Sequence, residues 1–354
     1  MGVKIKKNRD ELIQTLIQRN LKLDYQYTNE VLKKINYFQL INGFETLLLP
    51  DKNNKKFDTE SFDDFVSLYE FNNIFTDIIF KKTTEFESRL KTSVAHHFCS
   101  LHCATLNDTM QYTNKNNYQN PHLISNYPFN SYQNRSICLQ FDKFSFFHAE
   151  ILTKLVKNND WIDPRFYRDD SYLPPNDVAT YKYDDKVAVP LWVAIQTIDF
   201  GTLKRMCHYV GNPVMQLILN DFGLSISQRD VFLNSIDIIH ELRNKCAHTT
   251  LMYRFSTPKN IKINSRIITE LNMNPKETNT PASILSLYDA LKVLGYYENI
   301  DDLKNPLKRI IYRNNKHFKK KSYDLNERLL IRMGEASYKN WKKMLSNEMK
   351  YSLK

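Results

Sequence analysis

The sequence predicts an all-α protein. Three observations carry that expectation: glycine is scarce, with 7 in 354 residues; apolar residues recur at intervals of three and four along most of the chain; and Phe62 to Leu101 contains neither proline nor glycine. Few glycines leave few turns of positive φ, no glycine-rich phosphate loop and little scope for hairpin-rich β architecture.

From Asn8 to Arg19, Leu12, Ile13, Leu16 and Ile17 recur at helical spacing, and Asn29 to Leu40 reads as a second helix before Gly43 and Pro50 punctuate the chain. Ser61 is placed to cap the next helix, with Asp63 and Asp64 in its first turn favourable to the helix dipole. A helix from Phe62 to about Leu101 spans roughly 60 Å if unbroken, so a kink or break is expected within it. Glu85 and Arg89 lie four apart on it and are expected to pair; Arg89 and His96 lie seven apart on the same face. Two readings stand: a structural ion pair with a satisfied histidine, or a helix that lines an RNA cleft.

Asn107 to Gln133 breaks periodicity and reads as a long surface loop, followed by a helix from about Phe141 to Val156. Asp160 to Asp185 carries Pro164, Pro174 and Pro175 among Arg165, Arg168, Tyr167, Tyr172, Tyr181 and Tyr183. Such a segment either contacts RNA or packs as an ordered loop on its tyrosines. After Pro190, Leu191 to Ile195 reads as a buried helix; Thr202 opens another to Val210; Asn212 and Pro213 start a third toward Asn220, which Gly223 stops.

Ser227 to His248 forms the helix of greatest chemical interest. Phe232, Ile236, Ile239, Leu242 and Cys246 make a stripe that must face the core, leaving Arg243 at its edge. Arg243, Asn244 and His248 together suit RNA phosphodiester cleavage without metal. The guanidinium grips phosphate through two parallel bonds and stays charged, the imidazole moves a proton near neutral pH, and the amide positions either partner. On a straight helix His248 lies about 140° from Arg243. Either the helix ends near Ala247, or the residues meet in a cleft completed by a second copy. The alternative is a plain core helix, with Arg243 paired to a carboxylate and His248 capping the C-terminus.

Thr249 to Thr280 reads as mixed, with an extended pair around Ile261 and Ile267; helix returns from Ala282 to Leu294, with Gly295 as its stop. The tail is basic: Lys308, Arg309, Arg313, Lys316, Lys319, Lys320 and Lys321 interleave with Tyr312, His317, Phe318 and Tyr323. It is either a solvated face or an RNA-contacting one.

A net charge of +11 and a pI near 9.2 point to a polyanionic partner. No stretch reaches the roughly 20 apolar residues of a membrane span, and Met1 to Arg9 has no apolar secretory core behind its lysines, so a cytoplasmic protein without membrane contact is expected. The five cysteines include no C-x2-C pair, which argues against disulfides and structural zinc. Nothing offers H-E-x-x-H or clustered carboxylates, and neither a metal nor a cofactor is expected.

Leu242-Arg243-Asn244 followed by Ala247-His248 resembles the R-[polar]-x3-H signature of the HEPN ribonucleases. Ile35 to Gly43, Leu68 to Phe71 with Glu85 to His97 behind it, and Val189 to Ala194 leading to Phe200-Gly201-Thr202-Leu203 resemble, in order and spacing, the abortive-infection D/F family of anti-phage proteins. The resemblance covers roughly residues 10 to 255. It implies a HEPN-like helical bundle, RNA binding, homodimerisation and a toxin-like role in phage defence, with a small structured non-coding RNA as antitoxin.

The expectation is one integrated domain: N-terminal helices over 1–60, a HEPN-like core over 62–255, and a basic helical C-terminal extension over 256–354. Its function would be metal-independent endoribonuclease action by 2′-hydroxyl attack, through Arg243, Asn244 and His248. Glu85, Arg89, His96, Arg165, Arg168, Lys308, Arg309, Arg313, Lys319, Lys320 and Lys321 would contact the RNA. The alternative is a protein that holds a structured non-coding RNA without cutting it.

Overall fold

A computed structural model describes residues 5–51, 53–121, 135–157, 159–160, 162–248, 250–259, 261–275, 284–318 and 323–346, so Lys319, Lys320 and Lys321 lie outside the described residues. Among these residues fifteen α-helices form and no strand, so the protein is all-α; isolated bridges such as Lys22 with Ser61 are the β-type pairing. In chain order the helices are α1 (Arg9–Gln18), α2 (Tyr25–Lys34), α3 (Gly43–Leu48), α4 (Phe62–His102), α5 (Arg135–Leu139), α6 (Ile151–Lys157), α7 (Leu191–Ala194) and α8 (Phe200–Tyr209). There follow α9 (Asn212–Asp221), α10 (Arg229–Ala247), α11 (Ser265–Glu270), α12 (Leu287–Tyr297), α13 (Lys304–His317), α14 (Leu325–Met333) and α15 (Tyr338–Leu345).

The central element is α4, 41 residues long. Its start is fixed as expected: the Asp64 carboxylate accepts from the Ser61 N–H at 2.9 Å, closing a capping box. The anticipated break does not occur. Without proline or glycine, no carbonyl of the helix loses its donor, and α3, α7, α8, α9, α10, α12 and α13 all pack along it. Phe65, Leu68, Phe75, Ile79, Phe86, Leu90, Val94 and Phe98 are buried along its length.

The helix α10 runs antiparallel to α4. The Arg243 guanidinium lies over Phe80 at 5.9 Å from the ring centre, and beyond the helix end the Tyr253 N–H reaches Asn72 Oδ1 at 3.4 Å. The expected stripe of Phe232, Ile236, Ile239, Leu242 and Cys246 is buried in full. From the other end of the chain, Arg313 on α13 pairs with Asp64 at 2.9 Å. Arg328 on α14 donates to the carbonyls of Leu47 and Leu49 at 3.0 and 2.7 Å, and the Tyr323 hydroxyl donates to that of Leu48 at 2.9 Å. These donors satisfy the otherwise orphaned carbonyls at the C-terminal end of α3.

Several element boundaries differ from expectation. The second helix is Tyr25–Lys34, started by the Asp24 side chain, and Phe38–Asn42 forms a separate π turn. The helix expected over 141–156 is reduced to α6, because Phe141, Phe144 and Phe146 turn inward on 3-10 turns where a continuous helix would spread them. Much of the loop after Asn107 is likewise 3-10 turns, with 122–134 outside the described residues. No extended pair forms around Ile267, which lies buried on α11, capped by Asn264. Gly295 does not stop α12 but lies within it, where a Cβ would come within 2.9 Å of Ile300 Cδ1.

Two glycines of positive φ give a graded test. Gly334 (φ 113°) caps α14, and a Cβ there would sit 2.1 Å from Ser286 Oγ; Gly223 (φ 69°), following α9, has open space around it. We expect Gly223→Ala to cost about 1 kcal/mol, the left-handed penalty alone, and Gly334→Ala at least ~2 kcal/mol by adding the clash. Urea unfolding of both variants checks the order.

Candidate functional site

The helix α10 ends at Ala247, and His248 is its C-cap, with φ −92° and ψ 19°. Of the two geometries the sequence left open, the early helix end is thus present. His248 is exposed, and its backbone N–H still reaches Asn244 O at 3.1 Å. Arg243, about one-third exposed, points back toward α4, with Nε 3.8 Å from Glu87 Oε2. No hydrogen bond to that Nε forms among the described residues. Glu87 also pairs with Lys91 at 3.1 Å, so Arg243 competes for an occupied carboxylate.

Asn244 does not hold His248. Its Nδ2 is 3.2 Å from His240 Nε2, one turn earlier, where the ring stands edge-on to Phe200. His240 Nδ1 in turn lies 3.7 Å from Glu241 Oε1. Arg243 thus occupies one side of α10, a Glu241–His240–Asn244 series the other, and His248 the open end.

The remaining residues singled out in the sequence divide in two. Glu85 does not pair with Arg89; it meets Lys82 at 3.1 Å and Lys81 at 3.9 Å. Arg89 donates to the carbonyls of Asp221 (2.8 Å) and Tyr297 (3.3 Å), lies over Phe222 and pairs with Glu298 at 3.7 Å. Its reach is spent on tying α4 to the ends of α9 and α12. Since Glu87 and Arg89 point about 200° apart around α4, Arg89 and Arg243 do not share a cleft. His96 is exposed, more than two turns beyond Glu87, beside His97.

Arg165 is held by Asp163 and Arg168 by Asp170 and Asp184, all near the surface. Arg313 is engaged by Asp64. Lys308 and Arg309, by contrast, are exposed on α13 with Tyr312 beside them, 72 % exposed.

Sequence reasoning missed a polar cluster between α8 and α10. Asp237 is fully buried, 3.3 Å from Lys204 Nζ and 3.7 Å from His208 Nε2. Burial pushes the Asp237 carboxyl well above the carboxylate range, with Glu241 adding to the effect; burial also depresses Lys204 and, more strongly, His208. Both partners are thereby driven toward their neutral forms. The available signal was Lys204 and His208 one turn apart, facing an acid three residues before His240. A second missed group joins α4 to α9: Ser93 Oγ donates to Asp221 Oδ2 at 2.6 Å, and His97 Nε2 lies 2.9 Å from the same oxygen.

A sequence profile for Abi-like proteins matches residues 30–254. The chain belongs to the Abi-like protein family. Membership points to a role in abortive infection. The match covers α3, α4 and α10 with the whole Arg243–His248 segment and stops at Arg254. Arg254 and Tyr253 both donate to the Gly43 carbonyl, so the end of the Abi-like span folds back onto its beginning. No curated protein and no solved structure matches this Abi-like chain significantly. No helix among the described residues is long and apolar enough to cross a membrane.

The buried carboxyl gives a pH test. A folded-state pKa raised above the unfolded value means a contribution to stability that is complete below about pH 4 and lost as pH rises. Relative to Asp237→Asn, the wild-type protein should therefore be most favoured near pH 4, with the difference falling steadily toward pH 8. Urea melts of both proteins at pH 4.5, 6 and 8 measure it, and a constant difference would refute the neutral carboxyl.

Proposed function

We propose that this Abi-like protein acts in abortive infection by cleaving RNA without a metal, at a site centred on Arg243 and His248. The observation that carries the reading is the end of α10. An exposed imidazole stands where the helix stops, and a guanidinium earlier on the helix lies over Phe80 and makes a long ion pair to a carboxylate already shared with Lys91. A phosphate offers that guanidinium two short charge-assisted bonds in place of one at 3.8 Å.

In the proposed step His248 takes the proton of a ribose 2′-hydroxyl. The oxygen attacks the adjacent phosphorus, the P–O5′ bond breaks, the 5′-oxygen leaves after taking a proton from water, and a 2′,3′-cyclic phosphate results. Arg243 stabilises the charge on the phosphoryl oxygens. Asn244, turned to His240, shapes the wall of the site. Two copies apposed through this region would supply two arginines and two histidines, and homodimerisation belongs to the proposal.

His248→Ala should abolish cleavage of single-stranded RNA in EDTA-containing buffer while leaving the unfolding midpoint unchanged, since the side chain is exposed. Cleavage at the wild-type rate would refute the assignment. In mixed dimers, His248→Ala with Arg243→Ala should recover part of the activity if each cleft draws on both copies.

The exposed face of α13 favours a second reading, in which the protein holds a structured non-coding RNA as its antitoxin. Lys308, Arg309 and Lys316 line that face with Tyr312 between them, while Arg313 anchors the helix below. Replacing the three cations by alanine should flatten the dependence of log affinity on log salt by up to roughly 2 units for single-stranded segments. An unchanged slope would return this face to a solvated surface.

A further inference from the structure

Cys99 and Cys103 are one turn apart at the C-terminal end of α4, both half-exposed in an open groove of about 530 Å³ lined also by Thr92, His96, Trp192 and Gln196. The two thiols interact, which holds Cys99 below the usual thiol range and, together with burial, pushes Cys103 well above it. The other cysteines lack this setting: Cys207 and Cys246 are buried, each with its thiol pushed up to about 12, and burial also raises Cys138. Cys99 alone of the five is shifted downward, by the Cys103 thiol first and then by Leu191.

We propose that Cys99 and Cys103 form a peroxide-sensitive dithiol that closes reversibly to a disulfide. The Cys99 thiolate attacks one peroxide oxygen, the O–O bond breaks, and the departing hydroxide leaves as water after taking a proton. Cys99 is then a sulfenic acid. The Cys103 sulfur attacks the Cys99 sulfur, the S–O bond breaks, and a second water leaves with the Cys103 proton. The two sulfurs lose two electrons in all and the peroxide gains them.

Geometry sets both the feasibility and the reversibility of this step. Cβ atoms four residues apart on an intact helix stand about 5–6 Å apart, against the roughly 3.5–4.5 Å of a disulfide. Closure therefore needs the last turn to yield. Cys103 is the residue at which it yields, having already left helical geometry with φ −125° and ψ 45°. A bond made by deforming a helix end is strained and readily reduced.

The test treats the full-length protein with hydrogen peroxide, blocks remaining thiols with N-ethylmaleimide after denaturation, and maps peptides by mass. The 99–103 region should lose two hydrogen masses and both alkylation sites, roughly tenfold faster than Cys138 is oxidised, and dithiothreitol should restore them. Cys207 and Cys246 should stay alkylatable. In Cys103→Ser, Cys99 should accumulate as a sulfenic acid trapped by dimedone. Retention of both thiols in the wild-type protein, or oxidation no faster than at Cys138, would overturn the proposal, and neither result depends on the variant folding.

Discussion

Everything in this protein depends on one helix staying whole. At 41 residues α4 is about 60 Å long, and most of the stability of a helix within a protein comes from the packing of its apolar face. It serves as an axis that other elements cover: α3 and α13 toward its start, α10 along its middle, and α7 and α9 toward its end. In return it offers each of them an aromatic surface, with Phe86 meeting Phe200, Phe222 and Tyr297 from three different segments.

The charged residues of that axis are used in two ways. Arg89 is spent on carbonyls and a ring, the position of a side chain recruited to fasten elements together. Glu87, one-tenth exposed, holds Lys91 and Arg243 at once, at unequal distances. A buried carboxylate shared between two cations orients both, and its contact with Arg243 is the longer of the two. The same economy recurs on α10, where Asp237, Lys204 and His208 put ionisable groups in a dry interface that an apolar trio would fill at lower electrostatic cost.

Much of this was legible in the chain. Scarce glycine and the uninterrupted run from Phe62 announced an all-helical protein with a long axis, and the stripe from Phe232 to Cys246 announced which face of α10 is buried. The sum of 100° steps showed that Arg243 and His248 diverge on a straight helix, and the helix does end at Ala247. What spacing does not encode is the choice among partners. Glu85 and Arg89 satisfy the helical pairing rule, yet Lys82 and Glu298 are available from other directions and take them apart. Asn244 sits one turn from both His240 and His248, and only the packing of Phe200 against His240 decides between them. The phenylalanines at 141, 144 and 146 would spread around a continuous helix, and on 3-10 turns all three are buried.

The three carbonyls that end α3 accept from Arg328 and Tyr323, residues almost the whole chain away. Synthesis delivers those donors last. While the polypeptide emerges, the helix beginning at Gly43 lacks these donors for the carbonyls at its end until residue 328 has been made. The matched Abi-like span, which stops at residue 254, therefore does not contain all that its own third helix requires. A chain cut after that span lacks the Tyr323 and Arg328 donors that cover the end of α3.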